Sequence, residues 1–234
     1  MKKLKKQHRV NLRKFVSLEG IDFTGKTTLS KWLVRDLRKQ EMEVVITRDP
    51  PYYISPWGQF QNFLESGTNI AYLSEAFLLL TARIDNYERI ILPALLNGSV
   101  VIADRFTDSW LAYQSVRLTH YFRDELEALS FLTAIQNKLI IHGFLGLPGL
   151  TLWIYENPEI AIKRALTARK ISKYENLAIQ QQVDKQYQIL HKRYPERIKL
   201  VDARGIDIHE TYSKVLRIVT CYFNKINKKC ASLH

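Results

Sequence analysis

Cysteine is scarce in this sequence. Only two cysteines occur among 234 residues, Cys221 and Cys230, and both lie near the C-terminus. A small disulfide-stabilised scaffold needs paired cysteines spread along the chain, so that class of protein is excluded. At this length folding buries roughly 70% of the surface of the extended chain, and the core needs no covalent support. We expect a reduced protein of the cytoplasm.

Long apolar runs are also missing. No uninterrupted apolar segment approaches the ~18 residues that a membrane-spanning helix requires. The first 14 residues are basic but lack the apolar stretch of a secretory signal. We therefore expect no membrane partner.

Acidic residues are absent from the first 14 positions, which carry seven lysines and arginines. Lys225, Lys228 and Lys229 form a second basic cluster near the other end. These clusters account for most of the formal net charge of +12, and residues 15–224 are nearly balanced. A nucleic-acid groove needs cations clustered on the folded body, so we interpret both ends as solvated tails and expect no nucleic-acid partner.

The hydrophobic period alternates between that of strands and that of helices, which is typical of a parallel sheet wrapped by helices. Strands are predicted at residues 15–18, 44–46, 99–103, 150–155 and 198–201. Helices are predicted at residues 26–39, at 74–96 with an irregularity near Pro93, from Pro158 onward, and at 208–225. We predict one folded domain at 14–226, between a basic tail at 1–13 and a second tail at 227–234.

A phosphate-binding motif directly follows the first predicted strand. Residues 20–27 read GIDFTGKT and fit G-x-x-x-x-G-K-[ST] at every required position. Backbone N–H groups of such a loop curl around nucleotide phosphates, and the next helix adds its positive dipole end. The predicted fold is therefore a P-loop NTPase three-layer sandwich with a five-stranded parallel sheet and a short lid. The predicted contacts to ATP phosphates are Gly20, Asp22, Phe23, Thr24, Gly25, Lys26, Thr27 and Thr28.

An acidic residue ends the third predicted strand. Residues 100–104 read VVIAD, and P-loop proteins hold magnesium at an aspartate in this position. We predict a Mg²⁺ ion near Thr27 and Asp104, with Asp104 bound directly or through water. An aspartate that only terminates a strand is the competing interpretation.

The run DRFTDSWLAYQ at residues 104–114 resembles the thymidylate kinase family, which carries Asp-Arg-Tyr, Ser and Ala-Tyr-Gln at the same spacing. The resemblance continues at residues 15–28, 47–50, 78–95 and 201–203, and more loosely at 150–164 and 183–187. It implies phosphorylation of dTMP to dTDP with ATP and Mg²⁺, in a homodimer. It also implies that Ala203 borders the adenine and that Asp22 accepts a hydrogen bond from the sugar 3′-hydroxyl.

The resemblance also implies an acceptor site. Arg105 is placed to clamp a monophosphate with its guanidinium fork, and Arg83 corresponds to the arginine that reads the base. The predicted acceptor-binding residues are Asp22, Arg48, Trp57, Phe60, Arg83, Arg105, Ser109, Tyr113 and Gln114. A structural interpretation stays open for each, such as a core position for Tyr113 or an ion pair for Arg83.

Two departures from the family pattern bear on activity. Some relatives carry a catalytic arginine inside the phosphate loop, where this chain has Phe23. We therefore expect the missing cation to come from the lid at about residues 167–178, as Arg169 or Lys173. In addition, the Gly-Gly after the Arg-Glu-Pro segment of the family is replaced here by Pro-Tyr-Tyr at residues 51–53.

The predicted activity is transfer of the ATP γ-phosphoryl group to dTMP. The acceptor oxygen is already anionic, so catalysis requires positioning and charge neutralisation rather than a strong base. The predicted catalytic residues are Lys26, Asp104, Arg105, Arg169 and Lys173. Two alternatives stay open: a divergent kinase for another nucleoside monophosphate, and a P-loop protein that binds nucleotide for regulation or binds nucleic acid.

Overall fold

Five apolar runs pair as parallel strands in the computed structural model, which describes residues 10–65, 70–168 and 176–231. The strands are β1 (Phe15–Glu19), β2 (Val44–Arg48), β3 (Val100–Asp104), β4 (Leu150–Tyr155) and β5 (Ile198–Asp202). Their order across the sheet is β2-β3-β1-β4-β5, so the first strand lies at the centre. The five predicted strands are confirmed, and their ends differ from the prediction by at most two residues.

Burial distinguishes the central strands from the edge strands. Every residue of β1 and β3 is buried, as expected for strands covered on both faces, whereas β2 and β5 alternate with more exposed positions. The register places Asp104 opposite Leu18 on one side and opposite Arg48 on the other. The carboxyl ends of three neighbouring strands therefore meet at one edge of the sheet, where the predicted functional residues lie.

Helices connect the strands and cover both faces of the sheet. They are α1 (Lys26–Lys39), α2 (Trp57–Glu65), α3 (Tyr72–Asn86), α4 (Leu92–Leu96), α5 (Thr107–Arg117), α6 (Glu125–Ile141), α7 (Pro158–Ala168), α8 (Leu177–Arg193) and α9 (Ile208–Ala231). The predicted bounds of α1 are confirmed, and α9 continues six residues beyond its predicted end. Among the described helices, none combines the length and the apolar character needed to cross a bilayer.

A turn of π-helix over Tyr87–Ile91 joins α3 to α4. Proline has no backbone N–H, so Pro93 cannot donate to the carbonyl of Arg89, and the regular hydrogen-bond ladder is interrupted there. The N–H of Leu92 instead reaches the carbonyl of Tyr87, five residues back. The irregularity expected near Pro93 therefore occurs in the turn that precedes it.

Two large apolar clusters fill the spaces on either side of the sheet. One joins α1 and α9 to the strands, with Leu29 and Leu33 packed near Val215. The other joins α5, α6 and α8, with Leu111 and Leu132 among its fully buried members. These layers make a three-layer sandwich, with the sheet between two helical layers.

The segment before β1 is part of the folded body. Val10 and Leu12 pack against a third apolar cluster that contains Phe15 and Phe106. The carbonyl of Leu12 accepts a hydrogen bond from the N–H of Gly149 at 3.0 Å. The last residues of the predicted basic tail are therefore anchored beside β1.

A buried ion pair ties α5 to the start of β5. The two carboxylate oxygens of Asp108, which is 0% exposed, accept hydrogen bonds of 2.6 and 2.7 Å from the guanidinium of Arg197. Thr151 accepts from the same guanidinium at 2.8 Å, and its hydroxyl lies 3.0 Å from that of Ser17. The pair thus joins strands β1, β4 and β5 to the helix that follows Arg105.

Replacing Arg197 by methionine tests how much this pair contributes to stability. The variant leaves the buried carboxylate of Asp108 without its cation, so we expect the free energy of unfolding to fall by about 3–5 kcal/mol in urea denaturation. Arg123→Met is the matched control, because that side chain is 82% exposed, and it should change stability by less than about 0.5 kcal/mol. Equal losses in the two variants would contradict a stabilising pair.

Candidate active site

The phosphate-binding loop connects β1 to α1 through unusual backbone angles. Gly20 has φ +133°, and a Cβ at this position would press on the carbonyl oxygen of Ile154. Gly25 has φ +83° and precedes the first residue of α1. Phe23, a bulky residue, also lies in the left-handed region at φ +61°. The loop therefore keeps its curled form with a bulky aromatic residue in the left-handed region.

Lys26 lies inside the curl of this loop and is only 5% exposed. Its Nζ donates to the carbonyl of Ile21 and to the hydroxyl of Thr24, the latter at 3.1 Å. Burial, reinforced by the charge of Arg105, lowers the pKa of Lys26 to about 7. A polyanion placed in the loop would stabilise the charged ammonium.

The hydroxyl of Thr27 donates to Oδ2 of Asp104 at 2.5 Å. The two residues come from the first turn of α1 and the last position of β3, so this contact joins the loop to the neighbouring strand end. A hydroxyl and a carboxylate are hard oxygen ligands of the kind that Mg²⁺ prefers, together with water and phosphate oxygens. The donor set fits the predicted magnesium position.

Arg105 follows β3 in a left-handed conformation, with φ +68°. Its guanidinium forms an ion pair with Asp22, donates to the carbonyl of Gly20 at 2.7 Å and to the hydroxyl of Ser109 at 3.1 Å, and lies over the ring of Tyr113. The strained backbone turns this side chain back over the phosphate loop. The spacing predicted that Arg105 lies near the loop, and the structure brings the two together.

Asp22 is held by two neighbours besides Arg105, Tyr113 and Gln180. Tyr113 donates to its Oδ2 at 2.8 Å, and the amide of Gln180 donates to the same oxygen at 3.0 Å. Oε1 of Gln180 in turn accepts the backbone N–H of Asp22 at 3.1 Å. Burial alone would raise the pKa of Asp22, but the charges of Arg105 and Lys26 hold it below its usual value. Asp22 is therefore an ionised, fixed acceptor at the mouth of the loop.

Glu19 lies beneath this layer and is completely buried. Its Oε1 accepts the backbone N–H of Phe106 at 2.8 Å, and its Oε2 accepts from the hydroxyls of Ser109 and Tyr187, the latter at 3.3 Å. Burial, together with the nearby charge of Asp108, raises the pKa of Glu19 to about 7. The hydroxyl of Ser109 thus faces the carboxylate and Arg105 instead of open space.

Arg83 is buried, at 2% exposure, and forms an ion pair with Asp49. Its guanidinium lies 5.6 Å from the ring centroid of Phe106 and 5.4 Å from that of Trp110. Within the described part of the chain, its Nη1 has no hydrogen-bond partner. One guanidinium nitrogen, with two N–H donors, is therefore left over after the ion pair is made.

The other predicted residues occupy varied environments. Trp57 is 8% exposed and donates from Nε1 to Asp85 at 2.8 Å, and Phe60 packs edge-on against it. Gln114 is buried, and among described atoms its Oε1 has no partner. Ala203 is buried just after β5, where its N–H donates to Tyr155.

A cleft of about 230 Å³ opens between the loop and the strand ends. It is lined by six residues between Asp22 and Thr28 and by Arg48, Asp104 and Arg105. Two cations, Lys26 and Arg105, thus face one small space from opposite elements. The predicted lid residues Arg169 and Lys173 lie outside the described residues.

Several site residues were not identified from the sequence. Glu19 ends a buried strand next to the glycine loop, and this placement of an acid was a signal that could have revealed it. Asp49 lies in the segment 47–50 that resembles the family, but the sequence predicted no role for its side chain. Gln180 and Tyr187 reach the site from α8, more than 150 positions beyond the loop. Tyr187 lies in the segment 183–187 that loosely resembles the family, whereas no local pattern marks Gln180.

Residues 18–214 match the protein-family model described as thymidylate kinase. A probable thymidylate kinase of Methanosarcina mazei is 31% identical over 92% of this chain and 98% of its own length. A thymidylate kinase of Synechococcus is 35% identical over 82% of this chain and 87% of its own. The crystal structure of thymidylate kinase from Ehrlichia chaffeensis superposes with a TM-score of 0.67 at 23% identity. The superposition covers 88% of this chain and 97% of that one, and it supports the P-loop NTPase fold.

The raised pKa of Glu19 predicts a pH-dependent stability that Glu19→Gln removes. The carboxyl titrates near 4.5 when unfolded and near 7 when folded, so the folded state binds more protons between these values. The free energy of unfolding contributed by this group therefore falls as pH rises through the window, by on the order of 3 kcal/mol. Glutamine does not titrate, so the variant lacks this loss of stability. The free energy of unfolding of the variant minus that of the parent protein should therefore rise by this amount between pH 4.5 and pH 7.

Urea denaturation of both proteins at pH 4.5 to 8 measures this difference. The two proteins differ only at this position, so the difference reports the titration of Glu19 together with its effect on neighbouring groups such as Lys26. A stability difference that stays constant over the whole range would contradict the raised pKa.

Proposed function

The chain belongs to the thymidylate kinase family, and from that premise we propose that it transfers the γ-phosphoryl group of ATP to dTMP, giving ADP and dTDP. The observation that carries the proposal is the single cleft in which Lys26 and Arg105 face each other. Phosphoryl transfer between two phosphates requires cations on both the donor and the acceptor side. Neither a regulatory nor a nucleic-acid-binding role is supported by any feature of the site.

On the donor side we assign the ATP phosphates to the loop and to Lys26. When the phosphates enter, the ammonium exchanges the loop oxygens of Ile21 and Thr24 for phosphate oxygens. Thr27 and Asp104 would hold Mg²⁺, which supplies charge neutralisation for the β- and γ-phosphates. Ala203, after β5, is assigned to the border of the adenine because of the family resemblance.

On the acceptor side we assign the dTMP phosphate to Arg105, with Arg48 in the same cleft lining. The guanidinium is already held by Asp22, Gly20 and Ser109, so its orientation is set before the substrate binds. Asp22 keeps further acceptor capacity for the sugar 3′-hydroxyl. This preorganisation favours a phosphate that arrives in line with the γ-phosphoryl group.

The base would bind beside Arg83, where Nη1 offers an unused buried donor. A pyrimidine carbonyl oxygen would satisfy that donor, which otherwise costs desolvation energy without compensation. The buried Oε1 of Gln114, which has no partner among the described atoms, offers an acceptor for an N–H of the base. We assign base recognition to these two side chains and keep Trp57 and Phe60 as candidates for contact with the outer edge of the base.

The catalytic cation opposite Phe23 is assigned to the lid. A phenyl ring neutralises no phosphate charge, and the residues that line the cleft supply cations from the loop and the acceptor side only. We propose Arg169 first, since a guanidinium can bridge two phosphoryl oxygens, and Lys173 second.

A panel of acceptors tests the base assignment. With ATP and Mg²⁺, we expect kcat/KM for dTMP to exceed that for dUMP, dCMP, dGMP and AMP. Lys26→Ala should abolish transfer to every acceptor without unfolding the protein, because its charge acts on phosphates. If another monophosphate exceeds dTMP by about tenfold, the base assignment is wrong while the kinase class survives.

We also propose a homodimer, which the family resemblance implies, and assign the exposed face of α3 to its interface. Leu73, Phe77 and Leu78 are between 36% and 40% exposed and lie on adjacent turns of this one helix. Contiguous apolar side chains on a soluble surface are typical of an interface with a second protein chain. A second copy related by a two-fold axis would bring this face against itself.

Phe77→Glu tests the interface by placing a charge at its centre. We expect the variant to sediment as a monomer at a concentration at which the parent protein is a dimer, because burying an unpaired charge is unfavourable. Leu126→Glu is the control, since Leu126 is 51% exposed, lies on a different helix, α6, and should leave the dimer intact. A parent protein that is monomeric, or a Phe77→Glu variant that stays dimeric, would contradict the assignment.

A further inference from the structure

Glu19 contacts the backbone that determines where Arg105 points. Arg105 is a non-glycine residue at φ +68°, a conformation that persists only when the surroundings enforce it. The N–H of Arg105 donates to the carbonyl of Leu18 at 3.0 Å, and the N–H of Phe106 donates to Oε1 of Glu19 at 2.8 Å. The end of β1 therefore holds two successive amides on both sides of the strained residue.

The second carboxylate oxygen acts on the guanidinium through Ser109. A serine hydroxyl has one hydrogen, and here that hydrogen is donated to Oε2 of Glu19. The oxygen lone pairs of Ser109 are then turned toward Nη1 of Arg105, which donates to them at 3.1 Å. Tyr187 donates to the same Oε2 at 3.3 Å and fixes the carboxylate from α8.

We propose that Glu19 is a positioning residue for Arg105, fixing its backbone through Phe106 and its guanidinium through Ser109, so that the clamp for the acceptor phosphate is formed before the substrate binds. The inference rests on the proposed function only in that Arg105 takes the acceptor phosphate. It does not depend on which base the acceptor carries.

Glu19 is not itself placed for the reaction. It is 0% exposed, and its two oxygens already accept three hydrogen bonds from groups of the protein. It does not belong to the lining of the cleft. Its effect on activity must therefore pass through Arg105.

The variant Glu19→Gln separates an effect on the position of Arg105 from an effect on the packing of the core. Glutamine has the same shape and keeps a carbonyl oxygen for the N–H of Phe106, but it presents an amide donor to the hydroxyls of Ser109 and Tyr187. The hydroxyl of Ser109 must then turn, and Arg105 loses its oriented acceptor. The raised pKa of Glu19 indicates that a neutral side chain is tolerated at this position, so the variant should fold.

The measurement compares dTMP with thymidine, which lacks the phosphate, in titration calorimetry of the full chain. We expect Glu19→Gln to weaken dTMP binding by about 10- to 100-fold, because a misplacement of Arg105 by about 1 Å would have an effect of this size. Thymidine binding should stay unchanged. In steady-state kinetics kcat/KM for dTMP should fall by the same factor, while KM for ATP stays constant. A variant with unchanged dTMP affinity, or with equal losses for both ligands, would overturn the proposal.

Asp108→Asn is the matched control. Asp108 is a second buried acid, on the same helix as Ser109, but it bonds to Arg197 and Thr151 and not to Arg105. We expect this variant to melt at a lower temperature with unchanged affinity for dTMP and for thymidine. A selective loss of dTMP affinity in Asp108→Asn would show that any buried acid here has the same effect, and that result would overturn the specific role of Glu19.

A double-mutant cycle with Ser109→Ala tests the route through the hydroxyl. Once the hydroxyl is absent, Glu19→Gln should weaken dTMP binding by a factor at least threefold smaller than in the parent background. Equal factors in both backgrounds would contradict the relay through Ser109.

Failure of the proposed function has a different signature. If the parent protein prefers another monophosphate, the same comparison is made with that acceptor and its nucleoside, and the expectation for Glu19→Gln is unchanged. A parent protein that phosphorylates no monophosphate would overturn the proposed function and this inference with it. An active parent protein and a Glu19→Gln variant with the same constants would overturn the inference alone.

Discussion

The ion pair between Arg105 and Asp22 is the contact on which the geometry of the cleft depends. Arg105 follows β3, Asp22 lies in the loop after β1, and the pair closes the gap between these two strand ends. The pair acts together with the hydrogen bonds from Arg105 to the carbonyl of Gly20 and to Ser109, and it joins the two strand ends through opposite charges. The parallel register brings the strand ends together, and the ion pair sets the distance at which the two cations face each other.

Concentrating cations in a small buried space is unfavourable unless acids accompany them. Three carboxylates do so here, Asp22, Asp104 and Glu19, each at a different depth. Asp22 lies at the mouth beside Arg105, Asp104 meets the hydroxyl of Thr27, and Glu19 lies at the bottom under Ser109. The site is thus nearly neutral as a whole while its individual charges stay fixed, which is the condition for strong electrostatic stabilisation of a transferring phosphoryl group.

The sequence predicted those parts of the site that are local in the chain. The phosphate-binding loop and its glycines were predicted from a motif of eight consecutive residues. The positions of Asp104 and Arg105 were predicted from the end of a single strand. The partners of Asp22 and Glu19 on α8 could not be predicted, since a contact between residues more than 150 positions apart depends on how helices pack. The ion pair between Arg83 and Asp49 could not be predicted for a similar reason. Both residues lie in segments that resemble the family, but Asp49 lies in a loop, and a loop has no hydrophobic periodicity that predicts its contacts. The π turn before Pro93 is a third case. A proline predicts an irregularity in a helix, but it does not determine which turn of the helix becomes irregular.

The strand order separates the residues that we assign to the two substrates. Ala203, assigned to the nucleotide donor, follows β5 on one side of the sheet, while Asp49, Arg83 and Arg105 come from the β2, α3 and β3 side. The loop after β1 and the end of β3 lie between these two sides and carry residues assigned to both substrates. Substitutions in the outer half of the sheet can therefore remodel the acceptor pocket without disturbing the donor pocket, and the Pro-Tyr-Tyr segment after β2 lies in that half. The architecture is modular: selectivity for the acceptor can drift over evolutionary time while the phosphate-handling centre stays constant.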